Sequence, residues 1–336
     1  MSLGKETGVK IDDWSQRTLY SYSFTGSIIF CRRSKGGEPK WTMFVTDAGE
    51  VRVYDYLGIH QPAHDIALGY TPDDAWINNL DTPLIAIKNG TTIRVFEEGS
   101  ELFNTGAIAN LRYINISNNY LHDTVGALGV EWRSLVDGSV ITTEALSMTT
   151  TNIWEVQPTE AGETIYTGYR DSSGSQLGRL TKINRTLGVQ WTKWYQTGGT
   201  VNYIRCAGDG SVVVALLRGG GWACARVYNS AGAQLNNYQP SANFYIALAA
   251  QPDGAYCAWA KMGTTMARIV KDDGSEVNLV LAANIVSNKD ACDIVLGGYI
   301  SFACINGNIY IYDSDGNLKA TINYGLASTP IAAVVK

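Results

Sequence analysis

Residues Ile309 to Lys319 read IYIYDSDGNLK. Ile309 to Tyr312 alternate β-branched and aromatic side chains, the types that suit a pleated, half-buried strand. The Asp-Ser-Asp-Gly-Asn that follows is turn chemistry, because a tight reversal needs a residue that accepts positive φ and acidic or amide side chains that bond the bending backbone. Leu318 and Lys319 then open a returning strand. This unit recurs along the chain, with its closing glycine at Gly58, Gly99, Gly138, Gly188, Gly232, Gly274 and Gly316, at separations of 41, 39, 50, 44, 42 and 42 residues. A period near 42 sustained over seven units marks a repeat architecture.

Each unit follows one order. An apolar run leads to a first turn, seen at Gly36-Gly37, Asp209-Gly210, Asp253-Gly254 and Gly297-Gly298. A second apolar run leads to a second turn, at Gly49, Gly90, Gly174, Gly220, Gly263 and Gly307. The aligned strand, its glycine and a last strand complete the unit, which predicts four antiparallel strands per repeat. Helix is not expected: even Ser139 to Val156, with few glycines, is rich in β-branched residues and lacks a 3.6-residue period.

The strands Val212–Leu217, Leu84–Ile87 and Tyr299–Cys304 are apolar on both sides, whereas a sheet with one wet face would alternate. A chain of 336 residues is also beyond the size at which one core keeps growing. Sheets packed radially around an axis satisfy both constraints. The expectation is an all-β, seven-bladed β-propeller of four-stranded antiparallel blades, spanning residues 18–336 behind a polar arm at residues 1–17. A two-sheet sandwich or an open solenoid is the alternative. Ring closure is ambiguous, since Ser27–Cys31 and Pro330–Val335 both suit the same innermost-strand position.

Only 17% of the residues are charged and the net charge is −5, so no basic face suited to nucleic acid or anionic lipid is expected. The densest basic run, Arg32, Arg33, Lys35 and Lys40, reads as a solvated hairpin loop in preference to a phosphate contact. The first 25 residues lack a signal-peptide pattern, and no apolar run reaches membrane-spanning length. The six cysteines (Cys31, Cys206, Cys224, Cys257, Cys292, Cys304) are spaced without C-x-x-C pairs and mostly sit in apolar runs, so free buried thiols are expected. A basic residue recurs five or six positions before the glycine, at Arg52, Arg94, Lys182, Arg226 and Arg268. The reading favoured here pairs each with an acid of an adjacent blade while its stem covers apolar surface, in preference to a ring of cations around a channel.

Over Leu180 to Val214 the chain resembles bacterial seven-bladed β-propeller repeats related in pattern to quinone-type and NHL-type blades. The residues carrying the likeness are Lys182-Ile183-Asn184, Gly188, Gln190-Trp191, Gly198-Gly199 and Asp209-Gly210-Ser211. Tyr312-Asp313-Ser314-Asp315-Gly316-Asn317-Leu318 resembles the NHL version. The resemblance covers one or two units well and the others in outline. It implies a propeller with an interaction role, as in bacterial surface and phage virion proteins, and no shared catalytic residues. The nine tryptophans do not fall in the regular motifs of quinone-binding relatives, and the glycine-histidine and tryptophan-aspartate marks of WD-type blades are absent.

Chemistry is sparse. His60, His64 and Asp65 would suit a metal on a helix, but Pro62 between the histidines argues against that geometry. His122-Asp123 reads either as a base with its orienter or as a surface hydrogen bond. Asp313, Asp315 and Asn317 imitate the start of a calcium loop, yet Leu318 and Tyr324 stand where that loop needs Gly and Glu, so a stabilised turn is expected. Trp191, Trp194, Tyr195 and Trp222 are the candidate aromatic contacts for a glycan or partner, with packing between blades as the competing fate. No catalytic residue, cofactor or metal site is assigned. The composition and resemblance point to a structural or docking module of a phage or virus particle (tail, collar or decoration), with other virion or surface proteins and further copies of itself as the expected partners. A carbohydrate-binding or carbohydrate-cleaving propeller and a bacterial surface adhesin are the alternatives.

Overall fold

The seven glycines that set the repeat all have φ between 67° and 84° in the computed structural model of the chain. That region is open to glycine and strained for other residues, so the sequence period is a period of backbone reversals. At three of them the residue three positions earlier repeats one device. Asp55 Oδ1 accepts from the Leu57 and Ile59 amides, Asn229 Oδ1 from Ala233, and Asp313 Oδ1 from Asp315 and Asn317, at 2.8 to 3.0 Å. The structure describes residues 24–323, apart from 36–38, 126–128, 147–150, 172–176, 196–199, 207–211, 219–221, 239–245, 251–255, 272, 287–290 and 296–298. The first-turn glycine pairs, the arm at 1–17 and the segment 330–335 lie outside the described residues.

The described strands form seven four-stranded antiparallel sheets, each from one continuous stretch of chain. The first contains β1 (Ile28–Arg33), β2 (Trp41–Thr46), β3 (Glu50–Asp55) and β4 (Ile66–Ala67). The second contains β5 (Asp74–Ile77), β6 (Leu84–Asn89), β7 (Thr92–Glu97) and β8 (Ser100–Asn104). The third contains β9 (Ile114–Ile116), β10 (Leu121–Val125), β11 (Gly129–Arg133) and β12 (Val140–Ala145). The fourth contains β13 (Thr151–Pro158), β14 (Thr164–Asp171), β15 (Leu177–Asn184) and β16 (Gly188–Tyr195). The fifth contains β17 (Thr200–Cys206), β18 (Val212–Arg218), β19 (Trp222–Tyr228) and β20 (Gln234–Tyr238). The sixth contains β21 (Ile246–Ala250), β22 (Tyr256–Lys261), β23 (Met266–Lys271) and β24 (Glu276–Val280). The seventh contains β25 (Cys292–Val295), β26 (Tyr299–Ala303), β27 (Asn308–Tyr312) and β28 (Leu318–Asn323). Each is a meander in chain order, so Ser27–Cys31 contributes to the innermost strand of the first sheet.

Consecutive sheets bury their faces against each other. Met43, Val45 and Val53 meet Ile77 and Ile85 between the first two sheets, and Trp132 meets Val156 and Ile165 between the third and fourth. Tyr166 and Leu180 meet Ile204 and Tyr228 further on, and a large cluster including Ala258, Ile269, Ile300 and Phe302 joins the last two. With two further clusters, six hydrophobic cores separate the successive sheets among the described residues. This is why middle strands such as β6 and β26 carry no wet face, each side being the wall of a core. The architecture is an all-β propeller with four-stranded antiparallel blades.

The space between the seventh sheet and the first differs in kind. Arg33 on β1 lies 3.6 Å from Asp293 on β25. Arg33, Thr42 and Tyr54 are opposite one another across β1, β2 and β3, and so share a face; Asp293, Ser301 and Ile311 do the same in the seventh sheet. Thr42, Tyr54, Ser301 and Ile311 are all buried.

The recurrent cations behave as stem-covering residues, with one correction. Arg52, Arg94 and Arg268 pair with Glu50, Glu101 and Glu276 of their own sheets. Lys182 does cross to the next sheet and donates to the Ser230 carbonyl at 2.7 Å. Their cationic ends lie over aromatic rings, including Arg226 over Tyr195 at 5.1 Å and Arg268 over Trp259 at 5.2 Å.

Candidate functional site

The polar residues that converge lie at the C-terminal ends of the innermost strands, at one end of the blades. β1 ends in Arg32 and Arg33 and leads directly into Ser34 and Lys35. Ser34 is buried and donates through its hydroxyl to Asn79 Oδ1 at 2.6 Å. The Asn79 amide donates to Asn118 Oδ1 at 2.9 Å, and Asn118 Nδ2 to Glu160 Oε1 at 3.3 Å. Asn79, Asn118 and Glu160 occupy corresponding positions two residues after β5, β9 and β13, and Ser34 joins them from one residue after β1, so this ladder ties four consecutive sheets together.

Lys35 sits inside that frame. Its amine donates to Gln157 Oε1 on β13 and lies 5.3 Å from the centre of the Trp76 ring on β5. Arg32 shares the same indole at 4.6 Å. Gln157 donates in turn to Glu155 Oε1 at 2.6 Å, and Glu155 also accepts from Arg205 at 3.0 Å and from the Ile204 amide at 2.6 Å. Arg32 is paired with Asp74 at 3.7 Å. Protein surrounds the Lys35 ammonium so closely that loss of water lowers its pKa from 10.5 to about 7; Arg205 and Arg32 push the same way, against Cys206 and Glu155. Part of the residue remains accessible to solvent. The solvated-loop reading of the basic run is therefore corrected. Arg32 is buried and Arg33 and Lys35 are enclosed by other sheets, while Lys40 alone reaches outward, pairing with the exposed Asp81 at 2.6 Å.

His122 and Asp123 are not a surface pair: both are fully buried on β10. Neighbouring strand residues point to opposite faces, so one cannot orient the other. His122 Nε2 meets Ser117 Oγ at 3.0 Å, with its ring edge-on to Trp132, on the side of the fourth sheet. Burial, with the Lys35 charge, lowers its pKa to about 3. Asp123 bonds Arg133 at 3.0 Å on the other side; burial raises its pKa to about 6 and Arg133 opposes the rise. The Ser117–His122 contact has the composition of a nucleophile and base, but Gly162 closes over it. A Cβ at that glycine would stand 1.9 Å from Ser117 Oγ and 2.8 Å from His122 Nε2.

The remaining sequence candidates separate. His60 bonds Asp65 at 2.8 Å and lies against Tyr54, whereas His64 is buried against Trp41. No group of three or more metal-ligating side chains occurs among the described residues. Asp313 holds its turn and is drawn down to about 2: bonds from Asn317 and Lys319 prevail over burial. Tyr195 is buried and Trp191 half-buried in the core between the fourth and fifth sheets, with the Trp191 indole donating to the Ser230 carbonyl at 3.2 Å. The side chains of Trp194 and Trp222 lie outside the described residues. Cys31, Cys206, Cys257, Cys292 and Cys304 are not joined in disulfides, and burial raises the Cys292 thiol well above its usual value and Cys304 to about 12.

No protein-family model matches the sequence, and no curated protein sequence matches it. Solved structures resemble it in fold. The β-propeller domain of Cps50 (Swd1) from Myceliophteria thermophila superimposes with a TM-score of 0.58 at 12% identity, over 86% of this chain and 97% of that one. Hydrazine synthase from Kuenenia stuttgartiensis gives a TM-score of 0.59 at 13% identity, over 92% of this chain and 100% of that one. At such identities the likeness establishes the propeller fold alone.

The Asn79–Asn118 step is legible in the sequence, each asparagine standing 20 residues before its unit's glycine (Gly99 and Gly138), whereas Glu160 stands 28 before Gly188 and falls outside that superposition.

Proposed function

We propose that the chain is a non-enzymatic interaction scaffold, a single propeller whose seven sheets close into one ring across residues 18–336. The Arg33–Asp293 pair supports closure, as do the two buried faces beside it. The interaction role is carried by one observation: apolar side chains stand exposed on the outer edges of neighbouring blades. Val136 is 80% and Leu187 72% exposed, in the turns that precede the outermost strands of the third and fourth sheets. Val140, Ile141 and Val189 are exposed beside them. Glu144 of β12 lies beside Gly188, so the two edges adjoin. Large apolar side chains exposed on the edges of adjoining blades favour a protein partner.

The setting favoured by low charge, free thiols and the repeat resemblance is a virion assembled in the host cytoplasm, with other virion proteins as partners. An extracellular or cell-surface setting is the alternative. Cross-linking of the native protein followed by mass spectrometry tests the role, comparing wild type with Val136→Asp/Leu187→Asp. A specific partner lost in the variant, with unfolding temperature unchanged, supports it; an unchanged partner set, or none above background, overturns it. Trp191 keeps an accessible edge, which leaves glycan binding as the second reading. Saturable binding on a glycan array that Trp191→Ala abolishes would favour it.

A further inference from the structure

In each meander the turn after the first strand and the turn after the third strand lie at the same end of the blade. The Ser34–Asn79–Asn118–Glu160 ladder therefore shares its end with the turns that carry the repeat glycines. Those turns adjoin across the first four sheets. A Cβ at Gly99 would stand 2.8 Å from the Asp65 carbonyl oxygen, one at Gly138 2.7 Å from the Phe103 ring, and one at Gly188 3.7 Å from Glu144. Tyr56 and Ile59 of the first sheet's turn are exposed, as are Val136 and Leu187. Between these two apolar pairs lie the exposed carboxylates Glu97 and Glu98, with Asp137 beside Val136.

The cations at this end are already matched. Lys40 pairs with Asp81 and Lys271 with Asp315 at 2.6 Å, Arg185 with Glu163 at 2.9 Å and Lys319 with Asp313 at 3.0 Å. Lys35 is balanced in number by Glu160, and Arg32, Arg33 and Arg205 each face an acid of their own. Glu97, Glu98, Asp137 and Asp273 have no cationic partner among the described residues, so the end is left net negative. The opposite end is not: its described turns and links set Asp47 against Arg112 and Lys261, with Asp73 paired to Lys88 at 3.1 Å.

We propose that the ladder end of the first four blades docks a cationic protein surface, whose Lys or Arg side chains meet Glu97, Glu98 and Asp137 while its apolar side chains cover Tyr56, Ile59, Val136 and Leu187. This rests on the scaffold reading and adds to it the docking end and the chemistry of the partner. The apolar residues supply the area to be buried, and the unpaired acids select the sign of what buries it. No ion pair within the chain has to break first. The same end of a second copy is repelled by like charge.

Fluorescence anisotropy on the full chain, with the labelled peptide Lys-Lys-Leu-Lys-Lys-Leu-Lys-Lys as the probe, tests it at low salt. Binding should be saturable and should weaken at least about threefold when serine replaces both leucines of the probe, since charge is unchanged and apolar burial is lost. Glu97→Gln/Glu98→Gln should weaken it about fivefold. Asp47→Asn/Ala48→Lys, the same change in net charge at the opposite end, should cost less than about twofold. Absence of saturable binding, equal affinity for the serine probe, or equal losses in the two charge variants overturns the proposal. The comparison of the two probes on wild type decides the matter even if a variant fails to fold. A partner identified by cross-linking whose contact surface is neutral or acidic would overturn this inference and leave the scaffold reading standing.

Discussion

Replacing Lys35 with methionine keeps the reach of the side chain and removes its charge. Burial lowers the proton affinity of Lys35 from 10.5 to about 7, so between those values the unfolded chain binds a proton that the folded chain does not. Wild-type stability therefore rises as pH climbs through that window. Below about 7 both states are protonated and the full cost of enclosing the charge is present; above about 10.5 neither state carries it. A factor of ten in proton affinity is worth about 1.4 kcal/mol, and the side chain's partial access to water lowers the effective figure to about 1 kcal/mol per pH unit. The advantage of Lys35→Met over wild type should thus shrink by about 2 kcal/mol between about pH 7.5 and 9.5. The variant also strands the buried Gln157 oxygen, at a cost of about 1–3 kcal/mol that does not vary with pH. The slope, and not the offset, is therefore diagnostic. Urea unfolding followed by tryptophan fluorescence across this range measures it, and a stability difference that stays constant with pH refutes the reasoning.

Gly162→Ala should destabilise the fold by about 2–4 kcal/mol, because its φ of +79° disfavours any side chain and a Cβ would collide with Ser117 and His122; denaturant unfolding reads the loss. His122 should show no imidazole titration by NMR between about pH 5 and 8, since burial holds it neutral down to about 3. As pH falls below about 6.5 the unfolded chain gains the proton first, so His122 lowers stability in acid and His122→Gln should flatten that limb of the pH profile.

Much of the fold was legible because its determinants are local. A reversal at Gly316 or Gly232 needs only a few neighbouring residues, and its spacing survives in a single sequence. Strands apolar on both faces, such as Leu84–Ile87, likewise announce sheets packed on both sides. The candidate site was not legible for the opposite reason. Arg32, Arg33 and Lys35 look like a basic loop when read along the chain, and their burial comes from Trp76, Gln157 and Asp293, which belong to other sheets. His122 and Asp123 were misjudged in the same way: adjacency in sequence suggested cooperation, whereas strand alternation sends them into different cores. The acids that pair with Arg52, Arg94 and Arg268 proved to be their own sheet's, two to eight residues away in the chain, because a glutamate on the same or adjoining strand lies nearer than one across an apolar core.

The proposed closure of the ring rests on the space between the first sheet and the seventh, where Arg33 meets Asp293. A double-mutant cycle on Arg33→Ala and Asp293→Ala, read by denaturant unfolding, tests that junction. Joined blades predict a coupling of about 1 kcal/mol between two positions 260 residues apart in sequence. Strict additivity, within about 0.3 kcal/mol, would mean that the first and last blades do not meet.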